Sequence, residues 1–204
     1  MAEASYSDKS SRRSGSESSE PQKKTFSLLR AALEFAIALL IALILTWAVK
    51  SYVIEPFEVP TGSMENTIMI GDKLFADKLT ILFDPVERGD IIVFADKTLP
   101  GRILVKRVIA VGGQVVDLQN GVVFVDGEPL FEPYTGGNRS FPLERHFENM
   151  QIEYPYTVPA GHYWVMGDSR ENSADSRYFG TISDETIYGR AWMVFWPFES
   201  IGPL

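Results

Sequence analysis

Residues 103–125 read ILVKRVIAVGGQVVDLQNGVVFV, and this stretch decides the fold class. Short runs rich in Val and Ile are separated by Gly112-Gly113 and by Asn120-Gly121. An Asn-Gly pair between two such runs is a strong signal for a two-residue hairpin turn. Similar runs stand at 90–94 (DIIVF) and 163–166 (YWVM), and no segment of useful length after residue 60 has a helical period. The sequence therefore predicts a mainly β fold built of antiparallel strands.

A different kind of segment precedes this β region. The fifteen residues 35–49 read FAIALLIALILTWAV and carry no charge, and extension back to Ala31 adds only Glu34 as a charged residue. A membrane-spanning helix needs roughly 20 mostly apolar residues, so we predict a transmembrane anchor over residues 31–52. A buried core helix or a cleaved signal peptide are the alternatives. The first is hard to surround in so short a chain, and no small-x-small cleavage site follows the run.

Charge indicates the orientation of this anchor. Lys23, Lys24 and Arg30 precede the apolar run, whereas Lys50 alone follows it closely. The positive-inside rule then places residues 1–30 in the cytoplasm and residues 53–204 outside the cell membrane. The polar composition of residues 1–30 predicts that they form a disordered tail. After residue 50 there are 12 Lys plus Arg and 22 Asp plus Glu, a formal charge of −10. Such an acidic domain argues against nucleic acid as a partner.

Composition excludes several kinds of chemistry. The 204 residues contain no cysteine, so disulfides, thiolate catalysis and cysteine metal sites are excluded. Only two histidines occur, His146 and His162, and neither stands in a motif that suggests a catalytic triad. The polar run 167–177 (GDSRENSADSR) lacks the central Gly and terminal Glu of a common calcium loop. We therefore predict neither a metal nor another cofactor.

Three places could carry chemistry. Residues 60–64 (PTGSM) form a turn in which Gly62 permits a bent backbone and exposes the Ser63 hydroxyl. In a strand over 103–111, Lys106 shares a face with Leu104 and Val108, and loss of hydration there lowers the pKa of its amine, with Arg107 acting in the same direction. A neutral amine can accept a proton from a serine. On the strand pattern alone, however, a lysine that reaches the rim of the sheet is the simpler interpretation.

The combination of motifs is more specific than its parts. The runs PTGSM, GDIIVF (89–94), ILVKRVIAVGG (103–113) and GDSRENSADSRYFG (167–180) occur in this order after an apolar anchor. Together they resemble the successive motifs of bacterial type I signal peptidases over roughly residues 35–113 and 156–198. The resemblance implies an antiparallel β peptidase domain over 53–204, in which residues 113–156 form a small β cap or insert. The stretch from Phe131 to Tyr156 has no clear assignment.

The resemblance also implies roles for individual residues. Ser63 would be the nucleophile and Lys106 the general base, and the oxyanion would be bound by the Ser63 N–H and the Thr61 hydroxyl. Ser173 would hold the lysine by a hydrogen bond, Asp175 and Arg177 would form a supporting ion pair, and Gly167 would permit close approach. The substrate would add as a strand in a groove that gives Ala-x-Ala specificity, lined by Phe57, Val59, Pro60, Ile68, Leu104 and Val105. Its partners would be preproteins bearing signal peptides and the lipid bilayer.

Other functions stay open at this point. A serine-lysine autoprotease of the repressor-cleaving type has a similar dyad, but the anchor and the absence of a basic recognition helix weigh against it. A peptidase dedicated to one pilin-like substrate is another possibility. A membrane-tethered β domain that only binds peptides is the non-enzymatic alternative, and reaction of Ser63 with an acylating inhibitor would distinguish the two.

Overall fold

The computed structural model describes residues 21–204, so the first twenty residues of the tail predicted over residues 1–30 lie outside the described residues. Helix α1 spans Pro21–Tyr52. Its end coincides with the predicted end of the anchor, but it begins ten residues earlier, and residues 21–30 are helical where a disordered tail was predicted. Proline suits the first turn of a helix, and Gln, Lys, Leu and Arg are good helix formers, which accounts for this difference.

Helix α1 is apolar enough to cross a membrane. The segment Leu28–Val49 has a mean hydropathy of 2.4 over its best window, and none of that window is buried by other parts of the protein. Leucines on every side of the helix are more than half exposed, among them Leu33, Leu39 and Leu43. A helix that is apolar all round fits a lipid environment.

The region from Ala48 to Leu204 forms a second compact unit and holds all the strands of the described chain. The strands are β1 Ile54–Glu58, β2 Lys73–Asp77, β3 Ile91–Ala95, β4 Ile103–Val111, β5 Val115–Gln119, β6 Val122–Val125, β7 Glu128–Pro129, β8 Tyr156–Thr157, β9 His162–Met166, β10 Ile182–Ser183, β11 Ile187–Trp196 and β12 Gly202–Pro203. A four-residue helix α2 spans Ser176–Phe179. The one-turn 3₁₀ helices are Gly62–Met64, Thr80–Leu82, Pro133–Thr135, Phe147–Asn149, Arg170–Asn172, Asp184–Thr186 and Phe198–Ser200.

The strands form two antiparallel sheets. The larger has the order β1-β2-β11-β3-β4-β9-β10, with β12 paired to β11, and the smaller has the order β7-β6-β5-β8. Asn120 and Gly121 both have positive φ, 53° and 85°, and join β5 to β6 as the predicted two-residue turn. Asp126 and Gly127 do the same between β6 and β7. The prediction of a mainly antiparallel β fold after one apolar helix is confirmed.

Strand β3 separates two layers of the core. Ile91 and Val93 pack on one side with Met64, whereas Ile92 and Phe94 pack on the other. Successive residues of a strand point to opposite faces, so a strand buried on both faces reads as a continuous apolar run. A third apolar cluster joins the two sheets through Trp164 of β9 and Val116 of β5.

Candidate active site

The turn after β1 holds Ser63 in a fixed position. Ser63 lies in the one-turn helix Gly62–Met64 and is 6% exposed. Met64 is fully buried in the core layer beside β3, and this packing fixes the turn to the core. A Cβ added at Gly62 would meet the carboxylate end of the Glu65 side chain, which is flexible and can move aside. The Ser63 carbonyl oxygen accepts a hydrogen bond of 3.1 Å from the Ser169 amide, which ties the turn to the loop after β9.

Lys106 reaches this serine from β4. Its side chain is 1% exposed, and its Nζ lies 2.5 Å from the Ser63 Oγ and 3.1 Å from the Val105 carbonyl oxygen. Burial lowers the pKa of Lys106 to about 8, the Asp175 charge opposes this shift, and the Arg102 charge reinforces it. A lysine at the rim of the sheet is thereby excluded. The sequence predicts that the charge of Arg107 also lowers the pKa of Lys106. In the structure, however, the Arg107 guanidinium is paired with the Asp168 carboxylate.

Thr61 stands on the solvent side of the serine. Its Oγ1 lies 3.4 Å from the Ser63 Oγ, and the residue is exposed. Ser63 is the second residue of its one-turn helix, and N–H groups at a helix start have no partner within the helix. One hydroxyl and one amide are therefore available next to the Ser63 hydroxyl oxygen.

The loop after β9 packs against the serine turn from inside the protein. A Cβ added at Gly167 would overlap both the Ser63 carbonyl oxygen and the Ser173 hydroxyl, so only glycine permits this approach. The fully buried carboxylate of Asp175 accepts hydrogen bonds from the Gly167 amide at 3.2 Å and from two nitrogens of Arg177 at 2.9 Å each. Asp175 and Arg177 thus form the ion pair that the resemblance implies.

Ser173 differs from its predicted contact. The resemblance implies a hydrogen bond from Ser173 to Lys106, but within residues 21–204 the buried Ser173 Oγ has no hydrogen-bond partner. The lysine amine instead makes its short contacts with Ser63 and the Val105 carbonyl. The Ser173 hydroxyl rests against Gly167, close enough that a methyl group there would collide with it.

Asp168 is a residue of this site that sequence reasoning missed. Its fully buried carboxylate accepts hydrogen bonds from Arg107 Nε at 2.9 Å and Nη2 at 2.7 Å, and from the Thr67 hydroxyl at 2.5 Å. Arg107 is the residue after Lys106, and Thr67 lies four residues after Ser63. Asp168 therefore joins the segments that carry Lys106 and Ser63 to the loop after β9. Its place in the polar run beside Gly167 was the available signal.

A groove of about 420 Å³ lies between two free strand edges. Strand β1 pairs only with β2, and β4 pairs with β9 only from Arg107 onward, so residues 103–106 have a free edge. The groove is lined by Glu55, Pro56, Phe57, Glu58, Pro60, Gly101, Arg102, Ile103 and Val105.

Not all of the predicted groove residues line it. Phe57, Pro60 and Val105 do, whereas Val59 and Ile68 are buried in the core layer beneath it. Leu104 is not among the lining residues, and its side chain packs with Ile92 and Phe94 in the opposite core layer, so its contact with substrate stays a prediction. Alternation along β4 puts Leu104 and Val105 on opposite faces of the sheet.

Within residues 21–204 no group of three or more His, Asp or Glu side chains could hold a metal ion. A buried amine with a lowered pKa beside a serine hydroxyl can activate that hydroxyl as a nucleophile.

Comparison with known proteins gives a consistent result. Residues 32–196 match the family model described as signal peptidase, peptidase S26. A probable signal peptidase I-1 from Synechocystis sp. is 37% identical over 174 residues, which cover 81% of this chain and 83% of that protein. The signal peptidase I of Bacillus amyloliquefaciens is 34% identical over 170 residues, with 82% and 87% covered. The crystal structure of a signal peptidase I from Enterococcus faecalis V583 is 29% identical, covers 52% of this chain and 97% of that one, and has a TM-score of 0.41.

Proposed function

Because this chain belongs to the signal peptidase family, peptidase S26, we propose that it removes signal peptides from exported preproteins with Ser63 as nucleophile and Lys106 as general base. The chain is accordingly a serine peptidase of the signal peptidase I type. The observation that carries the proposed dyad is the 2.5 Å separation of the Lys106 Nζ and the Ser63 Oγ in a buried setting.

The chemistry begins with a proton transfer. With a pKa of about 8, a substantial share of Lys106 is neutral near pH 8, and the neutral amine accepts the proton of the Ser63 hydroxyl. The serine oxygen then forms a bond to the scissile carbonyl carbon, and the electron pair of the C=O double bond moves to the carbonyl oxygen. The Ser63 amide and the Thr61 hydroxyl would donate hydrogen bonds to that oxyanion, and the 3.4 Å separation of the Thr61 and Ser63 hydroxyl oxygens supports this role for Thr61.

Collapse of this intermediate completes the first half of the reaction. The electron pair returns, the C–N bond breaks, and the protonated Lys106 gives its proton to the leaving amine. Water then attacks the acyl-enzyme ester while Lys106 accepts the water proton, and that proton passes back to the Ser63 oxygen as the carboxylic acid leaves. Asp175, Arg177, Ser173 and Gly167 support this sequence by holding the loop against the serine turn.

The groove supports a way of binding the substrate. An extended peptide can add a strand to a free sheet edge, and the groove offers two such edges, β1 and residues 103–106 of β4. The strand would lead its scissile bond towards Ser63, because the serine turn directly follows β1. Phe57, Pro60 and Val105 would contact alternate substrate side chains, and Val59 and Ile68 would form the floor. We assign the Ala-x-Ala preference to these contacts.

We assign the domains and the membrane topology in the same way. Residues 1–30 would be a cytoplasmic tail, residues 31–52 the single anchor in the cell membrane, and residues 53–204 the extracytoplasmic peptidase domain. The four-stranded sheet lies within residues 113–156 and the adjoining Thr157, and would be a small cap of that domain. Protease treatment of spheroplasts should remove residues 53–204, and protection of this domain would contradict the orientation.

The decisive experiment follows cleavage of a model preprotein by the full chain in detergent micelles. We expect the parent to cleave at an Ala-x-Ala site, and Ser63→Ala and Lys106→Ala to lose this activity. Asp84→Asn is the control, because Asp84 forms an exposed ion pair with Arg190 and is not among the residues that line the groove or contact Ser63 and Lys106. Parental rates in Ser63→Ala would refute the proposed nucleophile, and parental rates in Lys106→Ala would refute the proposed base.

A further inference from the structure

The segment 132–140, which follows β7 of the smaller sheet, touches each of the elements that carry the active site. Glu132 and Ser140 contact Arg170 in the loop after β9. The ring of Tyr134 lies over Arg107, the residue after Lys106. The Thr135 carbonyl oxygen accepts a hydrogen bond of 3.3 Å from the side-chain amide of Asn66, three residues after Ser63. None of these four residues belongs to the dyad or to the groove.

The strongest of these contacts is an ion pair between Glu132 and Arg170. Arg170 Nη2 lies 2.5 Å from Glu132 Oε1, and Nη1 lies 2.9 Å from Oε2, which is a two-point contact. The Arg170 side chain is fully buried and that of Glu132 is 11% exposed. Nη1 also donates to the Ser140 hydroxyl. The guanidinium of Arg170 therefore has its charge partner in the 132–140 segment rather than in its own loop.

Arg170 connects the 132–140 segment to the loop that contacts the serine turn. Its Nε donates to the Gly167 carbonyl oxygen at 3.0 Å, and its own carbonyl oxygen accepts from Arg177 Nη2 at 2.6 Å. Residues 167–170 contact the serine turn directly. Gly167 packs against the Ser63 carbonyl oxygen, and the Ser169 amide donates a hydrogen bond to it. One buried side chain thus fixes the loop segment that holds the backbone of Ser63.

Tyr134 forms a second connection. Its hydroxyl donates to Glu132 Oε1 at 3.0 Å, and its ring centre lies 4.1 Å from the Arg107 guanidinium carbon and 5.9 Å from that of Arg170. Burial, reinforced by the Glu132 carboxylate, raises the pKa of Tyr134, so that its hydroxyl stays a neutral donor. The aromatic ring therefore lies near both guanidinium groups and holds the carboxylate in the orientation that Arg170 needs.

We propose that Glu132 is a positioning residue of the peptidase, which acts through Arg170 to hold the Gly167–Arg170 loop, and with it the Ser63 backbone, in the geometry that catalysis requires. This inference rests on the proposed function of Ser63. Displacement of a nucleophile by about 1 Å can lower the rate by about 10²-fold, so loss of the contact should lower kcat much more than it changes KM. The groove has no contact with Glu132, and substrate binding should be preserved.

A purely structural role must be separated from positioning. Glu132→Gln keeps the shape of the side chain but leaves the buried Arg170 charge without its anionic partner, which also destabilises the fold. The double variant Glu132→Met/Arg170→Met removes both charges together, and such replacements are often neutral for stability. It nevertheless lacks the hydrogen bond to the Gly167 carbonyl. The double variant therefore restores stability without restoring the proposed contact.

The experiment uses the full chain in detergent micelles and two measurements. Steady-state cleavage of a model preprotein gives kcat and KM, and hydrogen exchange by NMR at the Ser169 amide reports its bond to the Ser63 carbonyl. For Glu132→Gln and for the double variant we expect kcat about 10- to 100-fold lower, KM within about twofold of the parent, and faster exchange at Ser169. Asp84→Asn, which removes one carboxylate from Arg190, should leave all three values unchanged.

Each other outcome has a defined meaning. Parental kcat in the double variant would show that Glu132 contributes stability only, and would overturn the inference. Lower kcat with unchanged Ser169 exchange would overturn the route through the loop. If the double variant does not fold, the test is hydrogen exchange at the Ser169 amide in Glu132→Gln. This exchange is compared with that in Asp84→Asn under conditions in which both variants have the same free energy of unfolding, and equal exchange would overturn the inference. If the parent does not cleave the preprotein, the proposed function fails, while Ser169 exchange still tests the contact by itself.

Discussion

Replacement of Lys106 by methionine should make the protein inactive and, at neutral pH, more stable. Methionine has a similar length and no charge, so it occupies the same buried space. Burial lowers the pKa of Lys106 from 10.5 to about 8. One unit of pKa difference corresponds to about 1.4 kcal/mol between the two protonation states, so the shift represents about 3 kcal/mol of destabilisation while the lysine is charged.

The sign follows from proton linkage. The pKa of Lys106 is lower in the folded than in the unfolded chain, so the unfolded chain binds the proton more tightly, and stability rises with pH between about 8 and 10.5. The destabilisation is fully present well below pH 8 and has disappeared above about 10.5. The methionine variant lacks it at every pH. It also loses the hydrogen bonds of the amine to Ser63 and to the Val105 carbonyl, which contribute about 1 kcal/mol each.

The expected difference between variant and parent therefore changes sign with pH. We expect the variant to be about 1 kcal/mol more stable than the parent at pH 7 and about 2 kcal/mol less stable at pH 10.5. Guanidinium denaturation of the full chain in detergent micelles, followed by near-UV circular dichroism, measures both values. The other titrating groups are common to the two proteins, and their contributions cancel in the difference. A difference that is the same at pH 7 and at pH 10.5 would refute the desolvated lysine.

Three further results are expected from cleavage assays on the same full chain. The pH profile of kcat/KM should rise with its midpoint near pH 8, because Lys106 of the free enzyme must be neutral to accept a proton, and a flat profile between pH 6 and 9 would contradict its role as base. Thr61→Val should lower kcat by about 10²–10³ while Thr61→Ser retains most activity, since only the former removes the hydroxyl, and a change confined to KM would speak against an oxyanion role. Gly167→Ala should lower both kcat and the free energy of unfolding, the latter by about 1–3 kcal/mol, because its methyl group overlaps the Ser63 carbonyl and the Ser173 hydroxyl, and denaturation curves equal to those of the parent would count against this packing.

Local patterns predicted a large part of the fold. The strands over 103–111 and 122–125 have the predicted bounds, and the turn at Asn120-Gly121 has the predicted positive φ values. These features depend on side-chain alternation and backbone sterics within a few residues, which the sequence states directly. The apolar helix is predictable for the same reason, since length and hydropathy are properties of one segment.

Strands whose identity depends on their neighbours were missed. Strand β1 contains Pro56 and two glutamates, a composition that is acceptable only at a sheet edge. Strand β11 contains Gly189, where a Cβ would collide with the Asp77 carbonyl oxygen of β2. In β1 the composition argues against a strand, and its place at the edge of the sheet makes the composition acceptable. In β11 the aromatic and β-branched residues favour a strand, and the reason for Gly189 is a partner strand far away in the sequence.

The same division applies to the active site. The sequence by itself determined that Ser63 stands in a glycine turn and that Lys106 stands on an apolar strand, and the order of the motifs pointed to the family. Only the tertiary structure decided that the two groups meet across 43 residues, that Leu104 faces away from the groove, and that Glu132 pairs with Arg170. The burial of the Lys106 side chain depends on every segment that excludes water from it. The strand pattern alone therefore left a solvent-exposed lysine as the simpler interpretation. Desolvation and ion pairing are sums over contacts between distant segments, and no single stretch of sequence contains that sum.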